Sequence, residues 1–370
     1  MAPLYRAAVI GLGRMGHTYD DERVAGGPIY LPYCHTPSYA ASQRTELVAG
    51  ADPHEGQREI YAERWGLRGH VHADHREMLE KEKPDIVSIC TSARARCRII
   101  EDVARSGARA IWAEKPIAMS LEEADRIVAV CDENDVTIAF NCARRWHPRF
   151  IAARELIDEG EIGEILQVTG YFICGLSHNG SHGIDAIRYL AADANVSWVL
   201  GEIESDEVAA SEADPQGNGY LAFDSGARGY FRSNDCGPAS GREFDVLGTE
   251  GRIRLLESQQ QYELWKAVPT GPGGAMQPAL VPYRFPLHMQ GMGLTIIDDI
   301  LNSSERGDKP RCGAVDARAA LEVAIGLRES HRRGFCRVDL PHEDRSLGIV
   351  SAEVPGDGLP ARVQREQAQA

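Results

Sequence analysis

The sequence predicts an α/β protein in which a doubly wound parallel sheet is followed by an α+β domain built on a large, mainly antiparallel open sheet. In the first third of the chain, short apolar segments alternate with helical segments, a pattern typical of parallel strands covered by helices on both faces. After about Phe150 the segments become longer and alternate between polar and apolar residues, as antiparallel strands with one covered face do. A chain of 370 residues is also long enough for two domains with separate cores.

The individual elements follow from apolar periodicity and from turn-forming residues. In the first domain, strands are predicted at residues 7–10, 47–51, 86–90, 110–113 and 137–140, and helices at 55–65, 99–107 and 121–134. In the second domain, strands are predicted at residues 165–173, 219–231, 243–256 and 337–340, and a helical stretch at 292–330 that is interrupted near 307–310. We therefore expect a first domain at residues 1–145, a second at 146–354 and a flexible tail at 355–370, where little can be buried.

The charge balance argues against two classes of partner. The net charge is −15 at pH 7, and no run of Lys and Arg is long enough to form a basic patch, so neither nucleic acid nor a membrane surface is expected as a partner. The N-terminus enters a strand pattern without an export signal, and nine cysteines without a CxxC pair suit reduced thiols. These features together predict a cytoplasmic protein.

The first motif with chemical meaning, Gly11-Leu-Gly13-Arg14-Met15-Gly16, directly follows the first predicted strand. Its glycines permit a tight turn, let a pyrophosphate approach the backbone and allow the next helix to pack closely on the strand. The motif is weak evidence alone, but its position at the first strand of an α/β pattern favours a dinucleotide site. We expect the three glycines, Arg14 and Met15 to line that site.

A carboxylate, Asp52, stands at the end of the second predicted strand. There it can accept hydrogen bonds from both ribose hydroxyls of an adenosine and would repel a 2′-phosphate, which favours NAD over NADP. The alternative is a helix N-cap ahead of Pro53. Asp52 lies farther from the glycine motif than usual because residues 20–38, which contain several Gly and Pro, are predicted to form an inserted loop. This loop is either a surface excursion or a flap over the cofactor or substrate.

Further motifs complete a resemblance to a known family. They are Glu114-Lys115-Pro116 after the predicted strand at 110–113, NCARRWHP at 141–148, GSHGID at 180–185 and LGTEG at 247–251. With these motifs in this order and spacing, the chain resembles the Gfo/Idh/MocA oxidoreductases over nearly its whole length. The resemblance implies an N-terminal Rossmann domain that binds NAD, a C-terminal domain on an open sheet, and catalysis in the cleft between them.

The lysine of the EKP triplet is the first residue to which the resemblance gives a role. In the family this lysine lies beside the nicotinamide and the substrate hydroxyl, and its bond to the following proline is cis. By resemblance, Lys115 holds and polarises the reacting oxygen, and Glu114 and Thr91 contact the cofactor. The chain departs from the family after the predicted strand at 86–90, where Ala93 and Arg96 replace an Asn and a His of many relatives. This replacement puts the cofactor contacts of those two side chains in doubt.

Two histidines carry the predicted acid and base chemistry. Many relatives contain D-x-G-x-H-x-x-D in a block where this chain has His178, His182 and Asp185. By resemblance, His182 is the general base that takes the hydroxyl proton, whereas His178 replaces the acid and could orient the substrate, relay a proton or line the pocket. Asp185 could contact the substrate, anchor His182 or cap a helix. A metal would need Asp185 as third ligand at an irregular spacing, so no metal is expected.

Three side chains after the predicted strand at 137–140 are candidate substrate contacts. Arg144 and Arg145 lie at the same end of the sheet as Lys115, and the planar donors of a guanidinium suit vicinal hydroxyls or a carboxylate. By resemblance one of the two arginines, preferably Arg144, contacts the substrate or helps to shape the cleft, and structural salt bridges are the alternative. Trp146 could offer a stacking face to a sugar ring, with simple packing as its alternative.

These candidates predict an NAD-dependent dehydrogenase that oxidises a secondary hydroxyl of a sugar, cyclitol or related polyol, or runs the reverse reduction. A glycoside hydrolase or lyase that cycles tightly held NAD could use the same fold. A non-catalytic NAD-binding sensor is a third alternative, against which Lys115 and His182 argue. We also expect a homo-oligomer, a dimer or tetramer, because an extended sheet has two faces and the predicted helices can cover only one.

Overall fold

The first sheet of the computed structural model consists of six parallel strands: β1 (Tyr5–Ile10), β2 (Thr45–Ala51), β3 (Val71–His72), β4 (Ile86–Ile89), β5 (Ala110–Ala113) and β6 (Thr137–Phe140). The structure describes residues 4–23, 30–172, 174–233, 241–286 and 290–350, so the predicted tail at 355–370 lies outside the described residues. The strand order is β3-β2-β1-β4-β5-β6. The order reverses between β1 and β4, and ligands of doubly wound sheets bind at the carboxyl ends of the strands beside such a reversal.

The helices of the first domain are α1 (His35–Ala41), α2 (Glu55–Trp65), α3 (His75–Glu82), α4 (Ala93–Ala104) and α5 (Leu121–Glu133). Helix α2 has its predicted bounds and ends at Gly66, whose φ of +69° suits the left-handed residue after a helix. The prediction for α4 was wrong at its start, because this helix begins at Ala93 rather than at residue 99. Its first turn reads Ala-Arg-Ala-Arg, which lacks an apolar period but consists of strong helix formers.

The second sheet contains nine strands: β7 (Ile165–Tyr171), β8 (Val196–Ile203), β9 (Gly217–Phe223), β10 (Arg228–Arg232), β11 (Glu243–Gly248), β12 (Gly251–Leu256), β13 (Gln261–Pro269), β14 (Met276–Val281) and β15 (Val338–Asp339). Their order is β14-β13-β12-β11-β7-β10-β9-β8-β15. Neighbours are antiparallel except for β7 and β10, which run parallel. The predicted fold class, a parallel sheet followed by a mainly antiparallel one, is confirmed.

Two segments that were predicted as single long strands are hairpins instead. The run at 219–231 divides into β9 and β10 around a turn in which Gly226 has a φ of +94°, and the run at 243–256 divides into β11 and β12. Polar and glycine residues inside each run form the turns. At 224–226 and at 248–251, consecutive Asp, Ser, Gly, Thr and Glu residues interrupt the alternation of polar and apolar residues, and this local signal marks each turn.

The remaining helices are α6 (Pro148–Asp158), α7 (Gly180–Leu190), α8 (Asp206–Ala210), α9 (Met292–Arg306) and α10 (Ala314–Arg332). Helices α7 and α10 pack on the second sheet, whereas α9 packs against α1, β5 and β6 of the first domain. Helix α10 also contacts α5, and one apolar core runs through both domains. On the second sheet, Tyr171, Tyr230 and Leu247 remain exposed. Among the helices of the described ranges, none combines the length and the apolar character that crossing a membrane requires.

Candidate active site

The turn after β1 brings the glycine motif against the ends of β2 and β4. Gly11 has a φ of +89°, and a Cβ atom there would lie 2.8 Å from the carbonyl carbon of Cys90. A Cβ atom on Gly16 would lie 2.4 Å from the carbonyl oxygen of Gly11. Both positions therefore need glycine. The hydroxyl oxygen of Thr91 is buried beside this turn and has no hydrogen-bond partner within the described part of the chain, which leaves an acceptor and a donor for a bound group.

The two non-glycine residues predicted to line the turn lie in different surroundings. Arg14 is half exposed, and its guanidinium donates two hydrogen bonds of 2.7 Å to the carboxylate of Glu22. Met15 packs on a small apolar cluster that includes Tyr19 and Tyr33. Their cofactor contacts remain predictions.

Asp52 ties the second strand to the glycine turn. Its Oδ2 accepts a hydrogen bond of 2.8 Å from the backbone N–H of Leu12, and its Oδ1 accepts one of 2.9 Å from that of His54. His54, rather than Asp52, is the N-cap residue of α2. Each carboxylate oxygen can accept a further hydrogen bond. The position at the carboxyl end of β2 thus suits both the backbone contacts seen here and a ribose.

Lys115 reaches from the end of β5 to the start of α7. The Lys115-Pro116 peptide bond is cis, as the resemblance implies. The Nζ atom donates hydrogen bonds of 3.0 Å to the carbonyl oxygen of His178 and 3.1 Å to Oδ1 of Asn179. Burial lowers the pKa of Lys115, although the negative charge of Glu114 opposes this effect. Through its two hydrogen bonds, the ammonium group joins the carboxyl end of β5 to the start of α7.

Buried polar groups hold the carboxylate of Glu114, the residue that precedes Lys115. Its Oε1 accepts a hydrogen bond of 2.6 Å from Asn141 and lies 3.2 Å from Nε2 of His35. Burial alone would raise the pKa of Glu114, but hydrogen bonds from His35 and Asn141 and the charges of His35 and Lys115 outweigh it and lower the pKa to about 2. Glu114 is thus an anion directly beside Lys115, and its carboxylate points into the protein.

The inserted segment at residues 20–38 supplies side chains that surround Glu114 and Asn141. Its described parts, residues 20–23 and 30–38, deliver His35 to Glu114 and place the hydroxyl of Tyr33 3.3 Å from Nδ2 of Asn141. Nδ1 of His35 lies 2.8 Å from the hydroxyl of Ser88, and the imidazole stacks on Trp112 at 3.7 Å. The described parts of the loop therefore pack beneath the cleft, and the residues between them lie outside the described part.

His178 and His182 flank Lys115 at the start of α7. The Nδ1 atom of His182 is buried and has no hydrogen-bond partner in the described residues. Burial lowers the pKa of His182 well below its ordinary value, and the charges of Lys115 and of nearby arginines lower it further. Burial and the charge of Lys115 likewise lower the pKa of His178 to about 4. Both imidazoles are therefore neutral near pH 7.

Three of the predicted substrate contacts form buried polar pairs. Arg145 donates hydrogen bonds of 2.9 Å to both carboxylate oxygens of Asp185 and a further one of 2.7 Å to Asp193. Asp185 and the side chain of Arg145 are almost completely buried. The indole N–H of Trp146 donates to Asp299 at 2.9 Å, and its ring is fully buried. These contacts favour the structural alternatives for Arg145 and Trp146, and they join Asp185 to Arg145 rather than to His182.

Arg144 occupies a different position, on the wall of the cleft. Its guanidinium donates two parallel hydrogen bonds of 2.8 Å to the carboxylate of Glu257, and its central carbon lies 4.6 Å from the ring centre of Phe172. The ring of His182 lies 6.4 Å from that of Phe172. Arg144 is therefore near the candidate base, but its charge is already balanced by Glu257.

Within the described ranges, one group of three potential metal ligands converges, namely Cys142, Asp185 and Cys312, whose ligand atoms lie within 4.8 Å of one another. Arg145 binds both carboxylate oxygens of Asp185, and this positive charge opposes a bound cation. The eight described cysteines are free thiols.

Four further residues without a predicted role shape the site. Asn179 accepts from Lys115, and Asp214 accepts hydrogen bonds of 2.7 Å from the backbone N–H groups of Ser177 and His178. Arg96 is buried and donates to the carbonyl oxygens of Thr91 and Pro116. Glu257 binds Arg144. Asn179 lies next to His178 and could have been considered as a substitute for the family's acid, whereas the other contacts join distant segments and leave no local signal.

Two models of one protein family match the chain. The model described as "Oxidoreductase family, NAD-binding Rossmann fold" matches residues 5–142, and the model described as "Oxidoreductase family, C-terminal alpha/beta domain" matches residues 173–340. Together they cover the first sheet and every strand of the second sheet except β7. The glycine turn, the carboxylate after β2 and the unpaired Thr91 hydroxyl fit the dinucleotide that the first model names.

Curated proteins and solved structures agree with these matches. The chain is 27% identical to scyllo-inositol 2-dehydrogenase (NAD(+)) of Bacillus subtilis over 352 residues, which cover 89% of this chain and 95% of that protein. It is 22% identical to myo-inositol 2-dehydrogenase of Thermotoga maritima over 345 residues, 88% of this chain and 96% of that protein. An inositol dehydrogenase homolog from Azotobacter vinelandii, solved with NADH and myo-inositol, matches with a TM-score of 0.72 at 18% identity, over 92% of this chain and 98% of that chain. The last comparison shows a shared fold.

Proposed function

Because the chain belongs to the Gfo/Idh/MocA family of oxidoreductases, we propose that it is an NAD-dependent dehydrogenase that oxidises a secondary hydroxyl of a sugar, cyclitol or related polyol, or runs the reverse reduction. One observation carries this proposal. Nζ of Lys115, at the end of a strand in the NAD-binding domain, meets the start of α7 in the second domain, where Nδ1 of His182 is buried without a partner in the described residues. A cation and a neutral imidazole thus share one cleft.

Lys115 is suited to bind the reacting oxygen. An ammonium group has three donors, and the described acceptors, His178 O and Asn179 Oδ1, engage two of them. The third can donate to the substrate hydroxyl and stabilise the negative charge that develops on its oxygen during oxidation. The two protein contacts also fix the direction of the ammonium group.

His182 is suited to take the proton. Its low pKa keeps the imidazole unprotonated, so that Nδ1 can accept the hydroxyl proton as the carbon–oxygen bond becomes a carbonyl. NAD, when bound, supplies the acceptor for the hydride that leaves the same carbon. In this proposal Gly11, Gly16 and Asp52 hold the cofactor, with Asp52 selecting the unphosphorylated ribose.

The relatives support the substrate class, because two curated proteins that align with nearly the whole chain are inositol dehydrogenases. A screen of NAD and NADP reduction across inositols, acyclic polyols, free sugars, glycosides and uronates tests the proposal. We expect NADH formation with at least one class of secondary alcohol. Cleavage of a glycoside without net NADH formation would instead support an NAD-cycling hydrolase or lyase, and cofactor binding without any turnover would support a sensor.

A further inference from the structure

Two guanidinium groups lie near His182, although the chain as a whole carries a net charge of −15. The ring of Phe172 is the common neighbour of the groups involved. The guanidinium carbon of Arg144 lies 4.6 Å from its centre and that of Arg242 lies 5.3 Å from it, and the ring of His182 lies 6.4 Å away. Two guanidinium groups therefore surround the aromatic side chain that the candidate base contacts.

The same cations act on two different groups in the cleft. The pKa of His182 is lowered by burial and then by the charges of Lys115, Arg144 and Arg242. Burial raises the pKa of Cys174 to about 12, and the charges of Lys115, Arg144 and Arg242 oppose that rise. The three positive charges thus converge from β5, from the turn after β6 and from the segment before β11.

The carboxylates near these cations are already engaged. Glu257 forms two hydrogen bonds with Arg144, and Asp214 accepts from two backbone N–H groups. His178 adds no charge to the cleft near pH 7, because burial and the charge of Lys115 lower its pKa to about 4. In the part of the chain that the structure describes, no carboxylate lies within ion-pair distance of the exposed side chain of Arg242. Within the described ranges, Arg242 thus differs from Arg144, whose charge is paired with that of Glu257.

From this arrangement, and resting on the dehydrogenase function proposed above, we propose that the substrate is a polyol or sugar that carries an anionic group, a carboxylate or a phosphate, and that Arg242 binds this group beside Phe172. A guanidinium presents paired donors that match the oxygens of a carboxylate or phosphate. The guanidinium group of Arg242 lies over the ring of Phe172, and this cation–π contact favours one orientation of the group. The anionic group would lie on the Phe172 side of the cleft, while Lys115 and His182 engage the reacting hydroxyl.

The test compares three sugars that differ at one carbon: glucose, glucuronate and glucose 6-phosphate. Each is measured as a substrate with NAD and as a competitive inhibitor of the best substrate from the screen. We expect at least one anionic sugar to bind about tenfold or more tightly than glucose, and the advantage to shrink as ionic strength rises. The anionic sugar that loses affinity in the variant below identifies carboxylate or phosphate as the recognised group.

The variant Arg242→Gln removes the charge of an exposed side chain. It should raise KM or Ki for the anionic sugar about 10- to 100-fold while changing the values for glucose and the Kd for NAD by less than about threefold. Arg242→Lys keeps the charge but not the paired donors. Its KM or Ki for the anionic sugar should therefore lie between the values of the unmodified protein and of Arg242→Gln. Arg98→Gln, at an exposed arginine of α4, is the matched control and should leave all three sugars unchanged.

Three outcomes would overturn the inference: equal binding of neutral and anionic sugars, unchanged anionic binding in Arg242→Gln, or a loss confined to NAD affinity, which would assign Arg242 to the cofactor. If neutral polyols are oxidised efficiently in the first two cases, the dehydrogenase proposal stands and only the anionic substrate is rejected. If no polyol of either kind is oxidised or bound, both proposals fail together.

Discussion

The Nζ atom of Lys115 donates a hydrogen bond of 3.1 Å to Oδ1 of Asn179, which joins the carboxyl end of β5 to the start of α7. Asn179 directly follows His178 in the sequence. In this chain an uncharged amide therefore orients the lysine. Burial lowers the pKa of Lys115, with Glu114 as the opposing charge.

Replacing this amide with a carboxylate changes the pH dependence in a defined direction. In Asn179→Asp, a negative charge beside Lys115 favours the charged ammonium and raises its pKa. If the charged lysine is required, the alkaline decline of kcat/KM should move to higher pH by about one unit. Profiles between pH 6 and 10 measure this shift. Asn179→Ala should lower kcat without this shift, and identical profiles in all three proteins would show that Asn179 does not act on Lys115.

The position of Asp52 leads to a prediction about the preference for NAD over NADP. Because a carboxylate at the end of β2 can bind a ribose and repel a 2′-phosphate, NAD should bind at least about tenfold more tightly than NADP. Asp52→Asn should narrow this ratio. It should also lower the melting temperature modestly, because the carboxylate accepts from two backbone N–H groups. Calorimetry measures both affinities, and equal affinities in the unmodified protein would remove the role assigned to Asp52.

The lowered pKa of Glu114 leads to a prediction about how the free energy of unfolding depends on pH. Its pKa is about 2 in the folded protein against an ordinary value of 4.5. A depressed carboxyl pKa contributes stability that is fully present above the unfolded pKa and is lost as pH falls through the folded pKa. Glu114→Gln should therefore cost on the order of 3 kcal/mol of unfolding free energy near pH 7, and this cost should shrink between pH 4.5 and 2.

Denaturant unfolding across this pH range measures the effect. Glu122→Gln, at an exposed position of α5, serves as the control and should change stability little at any pH. A cost of Glu114→Gln that stays constant from pH 7 to pH 3 would show that the charge of Glu114 does not stabilise the fold.

The exposed face of the second sheet leads to a prediction about the oligomeric state. Tyr171, Tyr230 and Leu247 are each about 40% exposed on this sheet, and large apolar side chains grouped in this way mark contact surfaces. We expect a homodimer or homotetramer through this face. Light scattering should give a multiple of 40.5 kDa, and Tyr230→Glu should shift the distribution toward the monomer. A 40.5 kDa particle for the unmodified protein at micromolar concentration would contradict the prediction.

Local sequence patterns predicted the elements but not the contacts between distant segments. Helix α2 was predicted with its bounds because a carboxylate and a proline precede it and a glycine ends it. The glycine turn and Lys115 were recognisable because short motifs specify both. By contrast, Arg144 pairs with Glu257, 113 positions away, and His35 meets Glu114 across 79 positions. A side chain's charge and spacing do not indicate which distant partner the fold brings to it.

The same limit applies to the candidate site, where contacts between distant segments decide the surroundings of two neighbouring arginines. Arg144 and Arg145 are adjacent in sequence and had the same predicted alternatives. The fold directs Arg145 into a buried ion pair with Asp185 and Arg144 onto the wall of the cleft. Two adjacent residues of a tight turn point in different directions, and only the tertiary structure determines which of them meets the cleft.

The measurement that tests the central claim most directly is single-turnover NAD reduction by Lys115→Met and His182→Gln with the best substrate of the screen. Each variant should lower the rate of the chemical step at least about 100-fold while the Kd for NAD changes by less than about threefold. Lys309→Met, at an exposed lysine, should match the unmodified protein. A chemical step in either Lys115→Met or His182→Gln that is as fast as in the unmodified protein would contradict the assignment of oxygen binding and proton transfer to this pair.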